Sequence, residues 1–172
     1  MKSALLQIQK LHTLFVKAVS ALQSPLLLVV RLYWGWQLSQ NGWGKLHNLE
    51  KITNFFSSLG LPAPGPTAVF IATVEFLGGI LLAIGFLSRP VALVITIDMA
   101  MAYIVADREA LFSFFSDPGK FYNADPYTFL FAALLVLVFG AGKVSVDTLL
   151  ERFAGTRWKN RDETVCLPRA SN

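Results

Sequence analysis

Four apolar segments run along the chain, and each is close to the length that a membrane-crossing helix needs. They cover about residues 25–42, 67–87, 90–106 and 127–141. A crossing helix needs ~20 mostly apolar residues, so the last two segments are short. Proline costs a helix little in its first turn, and one stands at or just before each start: Pro25, Pro66, Pro90 and Pro126. The pattern predicts an all-α integral membrane protein, a bundle of four crossing helices.

Residues 1–24 have a different pattern, in which apolar side chains recur at helical spacing between lysines and glutamines. The apolar set is Leu5, Ile8, Leu11, Phe15, Ala18 and Leu22. Lys10, His12 and Lys17 interrupt the apolar run that a signal peptide would need. The pattern predicts an N-terminal amphipathic helix, which lies either on the membrane surface or packed on the bundle.

The two longer connections, residues 43–66 and 107–126, are expected to hold interfacial helical segments on the outer side. The first has helical spacing up to Gly60, where a helix is expected to end. The second mixes acidic residues with five aromatic side chains, which suit the headgroup level of a bilayer. We expect a half-helix there, either as a cap on the bundle or as a lid over an outer pocket.

Composition supports a membrane location and argues against several kinds of redox and metal site. The chain is 54% apolar and only 15% charged, whereas a soluble domain is about 25% charged. Its single cysteine, Cys166, excludes a disulfide, a cysteine redox pair and a thiolate metal cluster within one chain. With only two histidines, no haem, flavin or metal motif is found. The net charge of +4 is modest and does not indicate nucleic acid as a partner.

The distribution of basic residues predicts the orientation. Of the 15 Lys and Arg residues, ten lie in the N-terminal segment, the link between the second and third spans, and the C-terminal tail. Four lie in the two outer connections. The positive-inside rule then places both termini in the cytoplasm. We expect a multi-pass protein of a bacterial-type cytoplasmic (inner) membrane, with residues 151–172 as a polar, basic cytoplasmic tail.

Three ionisable residues fall inside the predicted spans: Arg31, Glu75 and Asp98. Each costs ~2.5–3.5 kcal/mol near the bilayer centre if it has no partner. Their depths, counted from the predicted span ends, lead us to expect one cluster in which Arg31 holds both carboxylates, with Asp98 the closer in depth. Such a cluster either takes part in proton transfer or only fixes the helix register.

Polar residues on the first span extend this candidate site. Gln37, Asn41 and Lys45 lie on or beside the helix face that carries Arg31. Polar groups on one side of a crossing helix suggest a lined cavity for a small molecule. An aromatic belt at the outer interface is the alternative explanation for the tryptophans of the same segment.

Small residues follow Glu75 and recur on the third span, which predicts close helix packing. They are Gly78, Gly79 and Ala83 on the second span, with Ala102 and Ala106 on the third. Small residues four apart let helix backbones approach each other. These faces are expected to pack within the chain, and self-association into a homodimer through them is also conceivable.

The order of these features resembles the DoxX family of small four-helix membrane proteins. The matching parts are Arg31, "GWGKL" (42–46), "FFSSLGLP" (55–62), "VEFLGGILLAIGFLSRP" (74–90) and "GAGKVSVD" (140–147). The resemblance covers about residues 25–150, and Ala141 stands where the family usually has proline. Arg31 and Glu75 occupy family positions, whereas Asp98 enters from the depth argument alone. The family is similar to DoxD, the membrane part of a thiosulfate:quinone oxidoreductase, and some members are linked to oxidative-stress complexes or to copper-binding peptide pathways.

Three functions follow as expectations. The first is a membrane subunit of a redox system that binds a quinone or another small lipophilic molecule. It would depend on a membrane or cytoplasmic oxidoreductase partner, because the chain has no cofactor motif of its own and its status as an enzyme stays open. The alternative is a non-catalytic scaffold, or an accessory protein that binds lipid, metal or peptide. A small transporter is the weakest alternative, since four short helices enclose little room.

Overall fold

The computed structural model describes the backbone of residues 2–153 and the side chains from residue 9 onward. Within that range the chain is helical, with no strand. The helices are α1 (Lys2–His47), α2 (Leu49–Ser58), α3 (Pro64–Ile84), α4 (Ser88–Val105), α5 (Arg108–Phe112), α6 (Pro118–Tyr122) and α7 (Pro126–Phe139). Residues 146–153 are also helical. Most of the predicted basic tail, from residue 154, lies outside the described residues.

Three of these helices, α1, α3 and α4, are long and apolar enough to cross a membrane. The fourth predicted span corresponds to α7, an apolar helix of 14 residues that is shorter than a usual crossing helix. The ends of α3, α4 and α7 differ from the predicted ends by up to three residues. For α3 the reason is Gly85, whose φ of 73° ends the helix at Ile84, three residues before the predicted end at Leu87.

Helix α1 departs most from expectation, because Pro25 does not start it. The helix has 46 residues and runs through Pro25 without a break. A proline inside a helix removes one backbone hydrogen bond. The helical spacing of apolar residues continues on both sides of Pro25 and favours one continuous helix despite that lost bond. At 1.5 Å per residue α1 is about 69 Å long, more than twice the ~30 Å of a hydrocarbon core. The predicted boundary between residues 24 and 25 is therefore not a helix boundary.

The two longer connections, residues 43–66 and 107–126, contain the predicted helices in altered form. Helix α2 ends at Ser58, close to the predicted end at Gly60. Residues 107–126 form two five-residue helices, α5 and α6, instead of one half-helix. The second begins anew because the Asp117 carboxylate accepts a hydrogen bond from the Lys120 N–H and Pro118 occupies the first helical position.

The four apolar helices contact each other in a ring: α1 packs on α3, α3 on α4, α4 on α7, and α7 on α1. The shared core includes Leu38, Leu82, Ile95, Met99 and Val136. Large apolar side chains on the outer faces of these helices are about half exposed. Apolar surface of this extent suits contact with lipid and supports a multi-pass membrane protein.

Glycines bring α1 and α3 into backbone contact. A Cβ on Gly42 would lie 2.7 Å from the Ala72 carbonyl oxygen, and one on Gly79 would collide with the backbone of Ser39. Ser39 Oγ also donates to the Phe76 carbonyl across this contact, at 3.2 Å. Gly79 therefore faces α1, where Gly35 and Gly42 lie on the same contact.

The other small residues have different surroundings. Gly78 faces α4, where a Cβ would lie 3.4 Å from Ile95. Ala83 lies close to Gly35 of α1. Ala102 is half-buried on α4, and Ala106 is exposed just after its end. The glycine contacts thus lie within one chain, which removes the basis for a homodimer through Gly79.

Alanine substitutions at Gly42 and Gly44 should separate close packing from helix propensity. We expect Gly42→Ala to lower stability by about 1–3 kcal/mol, because the added methyl group meets α3 backbone that cannot move aside. Gly44→Ala is the matched control on the same helix, since its Cβ would have no neighbour within 4 Å. It should be neutral or stabilise by up to about 1 kcal/mol. Thermal unfolding in mild detergent measures both, and equal melting temperatures would contradict the assignment.

Candidate functional site

Arg31 is fully buried at the end of the bundle where α3 turns into α4. Its exposed fraction is 0%, and its Nη2 donates to the Val144 carbonyl at 2.5 Å. A Cβ on Gly85 would collide with Nη1, so the guanidinium lies directly against the α3–α4 corner. The Nε and Nη1 atoms have no hydrogen-bond partner among the described residues.

The predicted cluster of Arg31 with Glu75 and Asp98 does not form. Glu75 lies ten residues before Gly85, about 15 Å along the helix, which is beyond the reach of an arginine side chain. The predicted depth of Arg31 was wrong because it took Pro25 as the start of both the helix and the membrane span. With α1 running on through that proline, Arg31 lies at the level of the corner instead of inside the span.

The loop at residues 140–147 surrounds Arg31 and ties three parts of the bundle together. Val144 accepts the hydrogen bond from Arg31, and the Lys143 N–H donates to Ser24 Oγ at 2.6 Å. The Asp147 N–H donates to the Gly85 carbonyl at 3.0 Å. The last loop of the bundle is thereby fixed to α1 on one side and to the α3–α4 corner on the other.

Asp147 caps α4 from a distant part of the chain. Its carboxylate accepts the N–H groups of Leu87 at 2.7 Å and Ser88 at 2.8 Å, at a helix start that has no side-chain cap of its own. Burial opposes the charge of Asp147, but these hydrogen bonds and the Arg31 charge outweigh it and hold the pKa of the carboxyl below its usual value. The motif "GAGKVSVD" contained this aspartate, but nothing local in the sequence indicated its partner.

A second polar site lies deeper, between α1, α3 and α4. Lys45, in the last turn of α1, forms an ion pair of 2.5 Å with Glu75 of α3. The Glu75 side chain is 5% exposed and the Lys45 side chain 32% exposed. Lys45 reaches toward the bundle interior from the C-terminal end of its helix, and it therefore replaces Arg31 as the partner of this carboxylate.

Asp98 completes this site from α4. It is half-buried and lies within electrostatic range of Glu75 and Lys45. It follows the start of α4 by ten residues, about 15 Å, so it shares the depth of Glu75 near the middle of a ~30 Å core. Glu75 Oε2 and Asp98 Oδ2 are buried without a hydrogen-bond partner among the described residues. We call these three residues the Lys45–Glu75–Asp98 cluster.

The remaining predicted lining residues do not join this cluster. Gln37 is half-buried and Asn41 is exposed, and neither forms a hydrogen bond with the cluster in the described part of the chain. Two shallow surface depressions lie in the two longer connections, one at residues 47–54 and one at residues 105–124. Neither is lined by Arg31, Glu75 or Asp98. No group of three His, Cys, Asp or Glu residues that could hold a metal ion occurs between residues 2 and 153.

Removal of the Asp147 cap should give a pH-dependent loss of stability. We expect Asp147→Ala to cost about 0.5–2 kcal/mol at pH 7, the range for a lost helix cap. A carboxyl with a lowered folded-state pKa stabilises the fold above its unfolded pKa of ~3.9 and loses this contribution as the pH falls further. The difference in melting temperature from the wild-type protein should therefore shrink below about pH 4.

Asp117→Ala is the matched control for that experiment, because Asp117 also caps a helix, but a short one in the connection between α4 and α7. It should leave the melting temperature nearly unchanged. An Asp147→Ala penalty that is the same at pH 7 and at low pH would contradict the charged-cap assignment.

Double-mutant cycles should show that Arg31 and the cluster are energetically independent. We expect Arg31→Met to destabilise the protein by about 1–3 kcal/mol, since the Val144 carbonyl loses its donor. The same loss should occur in a Glu75→Gln, Asp98→Asn background, within ~0.5 kcal/mol. Lys45→Met and Glu75→Gln form the positive control, because these two residues are in contact and should be coupled. If the Glu75→Gln and Asp98→Asn substitutions rescue the stability of Arg31→Met, that result would contradict this independence and support the predicted cluster that includes Arg31.

Comparison with known proteins agrees with the helical membrane architecture. The DoxX family model matches residues 26–108, a range that contains Arg31, Lys45, Glu75 and Asp98 and ends before the 140–147 loop. No curated protein and no solved structure gives a significant match. This family match, which runs from α1 into α5, supports the assignment of the chain to the DoxX family.

Proposed function

We propose that this protein is a membrane subunit of a redox system, in which the Lys45–Glu75–Asp98 cluster binds the head group of a quinone-class molecule and supplies its protons. The observation that carries the proposal is the pair of buried carboxylate oxygens without partners, Glu75 Oε2 and Asp98 Oδ2. Ionisable groups inside a membrane are costly and are therefore usually functional.

Charge balance supports a proton at this cluster. Two carboxylates and one ammonium leave one surplus negative charge when all three groups are ionised. In a medium of low polarity, a proton shared between the two carboxyl groups neutralises that charge at the lowest cost in free energy. A cluster that holds one exchangeable proton at mid-depth can pass it to a bound molecule.

The chemistry of a quinone head group suits the donors of the cluster. A protonated carboxyl donates one hydrogen bond, and the Lys45 ammonium has donors beyond the one it gives to Glu75. A quinone presents two carbonyl oxygens that accept such bonds, whereas acyl chains present none. Reduction to the quinol takes two electrons and two protons. The electrons come from a partner oxidoreductase, and the protons pass through the carboxyls, which are reprotonated from the aqueous side.

In the same proposal, Arg31 has a structural role. Its hydrogen bond goes to Val144, and its charge lies toward Asp147. The proposed topology has α7 as the fourth crossing helix and both termini in the cytoplasm of a bacterial-type cell, on the basis of the distribution of Lys and Arg.

A non-catalytic scaffold is the second candidate, and one observation favours it. The N-terminal half of α1 is exposed along its described length and offers surface to a partner. In that case the Lys45–Glu75 pair only fixes the register of α1 and α3.

Analysis of bound molecules distinguishes the two functions. The protein is purified in mild detergent, its absorption spectrum is recorded, and an organic extract is analysed by mass spectrometry. We expect about one quinone per chain. Glu75→Leu and Asp98→Leu should each reduce the quinone content at least about fivefold, since the loss of one partner of a buried hydrogen bond costs about 1–3 kcal/mol.

Glu109→Leu is the matched control, because Glu109 also pairs with a lysine, Lys120 at 2.7 Å, but on the exposed surface. It should keep its quinone. Bulk phospholipid alone in the wild-type extract, or equal quinone content in all variants, would overturn the redox proposal and leave the scaffold.

A further inference from the structure

The N-terminal part of α1 lies beyond the rest of the bundle. Each of residues 9–23 is exposed. The part of α1 before Ser24, from residue 2, is about 33 Å long. We call residues 9–23 the N-terminal arm. The large apolar side chains of the arm have high exposed fractions: Leu11 71%, Leu14 64%, Phe15 65%, Val19 50% and Leu22 65%.

The arm is amphipathic. At 100° per residue, its main apolar side chains fall within an arc of about 140°. This apolar face consists of Leu11, Leu14, Phe15, Ala18, Val19 and Leu22. Lys10, Thr13, Lys17 and Ser20 lie outside that arc, toward the opposite side. A helix with one apolar and one polar, lysine-bearing side suits the plane of a membrane interface better than a crossing.

Charge favours an anionic lipid surface as the occupant of this face. The first acidic residue of the chain is Glu50, so residues 1–49 contain no carboxylate side chain. A second copy of the arm would bring lysines toward lysines without any acid between them. An anionic headgroup layer attracts each of these lysines instead.

Pro25 supplies a place for the arm to bend. Contacts with the bundle fix α1 from Ser24 onward. Ser24 Oγ accepts a hydrogen bond from the Lys143 N–H, and the side chain of Leu27 is buried. Proline has no N–H, so the Ala21 carbonyl lacks its usual helix partner at this point. Sharp bends in helices occur at prolines.

We propose that the N-terminal arm bends at Pro25 and lies on an anionic phospholipid surface, with its apolar face in the lipid and Lys10 and Lys17 at the headgroups. The proposal is independent of the ligand at the Lys45–Glu75–Asp98 cluster. It concerns a binding surface for lipid, at the end of the bundle that Arg31 and the 140–147 loop hold together.

Site-specific fluorescence tests the proposal in the full-length chain. Cys166 is the only cysteine, so a Cys166→Ser background accepts a single label through Leu14→Cys on the apolar face or Ser20→Cys on the polar face. The labelled protein is reconstituted in vesicles of phosphatidylcholine with and without phosphatidylglycerol. A lipid-attached quencher should reach the Leu14 label when phosphatidylglycerol is present, and an aqueous quencher should reach the Ser20 label.

Two sets of variants test the parts of the proposal. Lys10→Gln and Lys17→Gln should each lower the ratio of lipid-bound to free arm about fivefold, as expected for ~1 kcal/mol per lysine. Pro25→Ala should straighten α1 and move the Leu14 label into water in the same vesicles. Labels at both positions that are equally open to the aqueous quencher in every vesicle would overturn the proposal. Protection of Leu14 that depends on protein density and not on phosphatidylglycerol would also overturn it, in favour of a second copy.

Discussion

The backbone contact between α1 and α3 sets the register on which both polar sites depend. Glycines on the two helices remove the side chains that would otherwise hold the backbones apart, and such contacts tolerate little sliding. In this register Arg31 meets Gly85 at one end, and Lys45 meets Glu75 further along. A shift of one helical turn would move each cation by about 5.4 Å and separate it from its partner.

The two polar sites differ in the balance of their charges, although each contains buried polar atoms without a hydrogen-bond partner among the described residues. At the α3–α4 corner, Arg31 and Asp147 have opposite charges, and both bind backbone groups that the fold would otherwise leave open. In the Lys45–Glu75–Asp98 cluster two acids face one base, and two buried oxygens have no partner. Opposite charges that also bind backbone groups fix the parts of the chain that they join, whereas a surplus buried charge is costly unless a proton or a bound molecule neutralises it. The first site therefore explains the stability of one end of the bundle, and the second is the candidate for chemistry.

Sequence patterns predicted the parts of the fold that are local. Apolar length identified three helices that can cross a membrane together with α7, and helical spacing identified α2. The continuity of α1 was missed because proline at position 25 looks the same whether a helix starts there or runs through it. The predicted depth of Arg31 was wrong for the same reason.

Lys45 was placed on the correct face of α1, but its partner was not predicted, since a lysine at a helix end can extend inward or outward. The contacts of Val144 and Asp147 join residues 59 to 113 positions apart, and no local pattern contains them.

The capping of α4 by Asp147 also has a consequence for synthesis. Asp147 follows Ser88 by 59 residues, so at ~5–20 residues per second the start of α4 leaves the ribosome roughly 3–12 s before its cap exists. During that interval the N–H groups of Leu87 and Ser88 depend on water or headgroups, and Arg31 has not yet met the Val144 carbonyl. The bundle is completed from its last loop, and a nascent chain that stops before residue 147 exposes the same unpaired groups to cellular quality control.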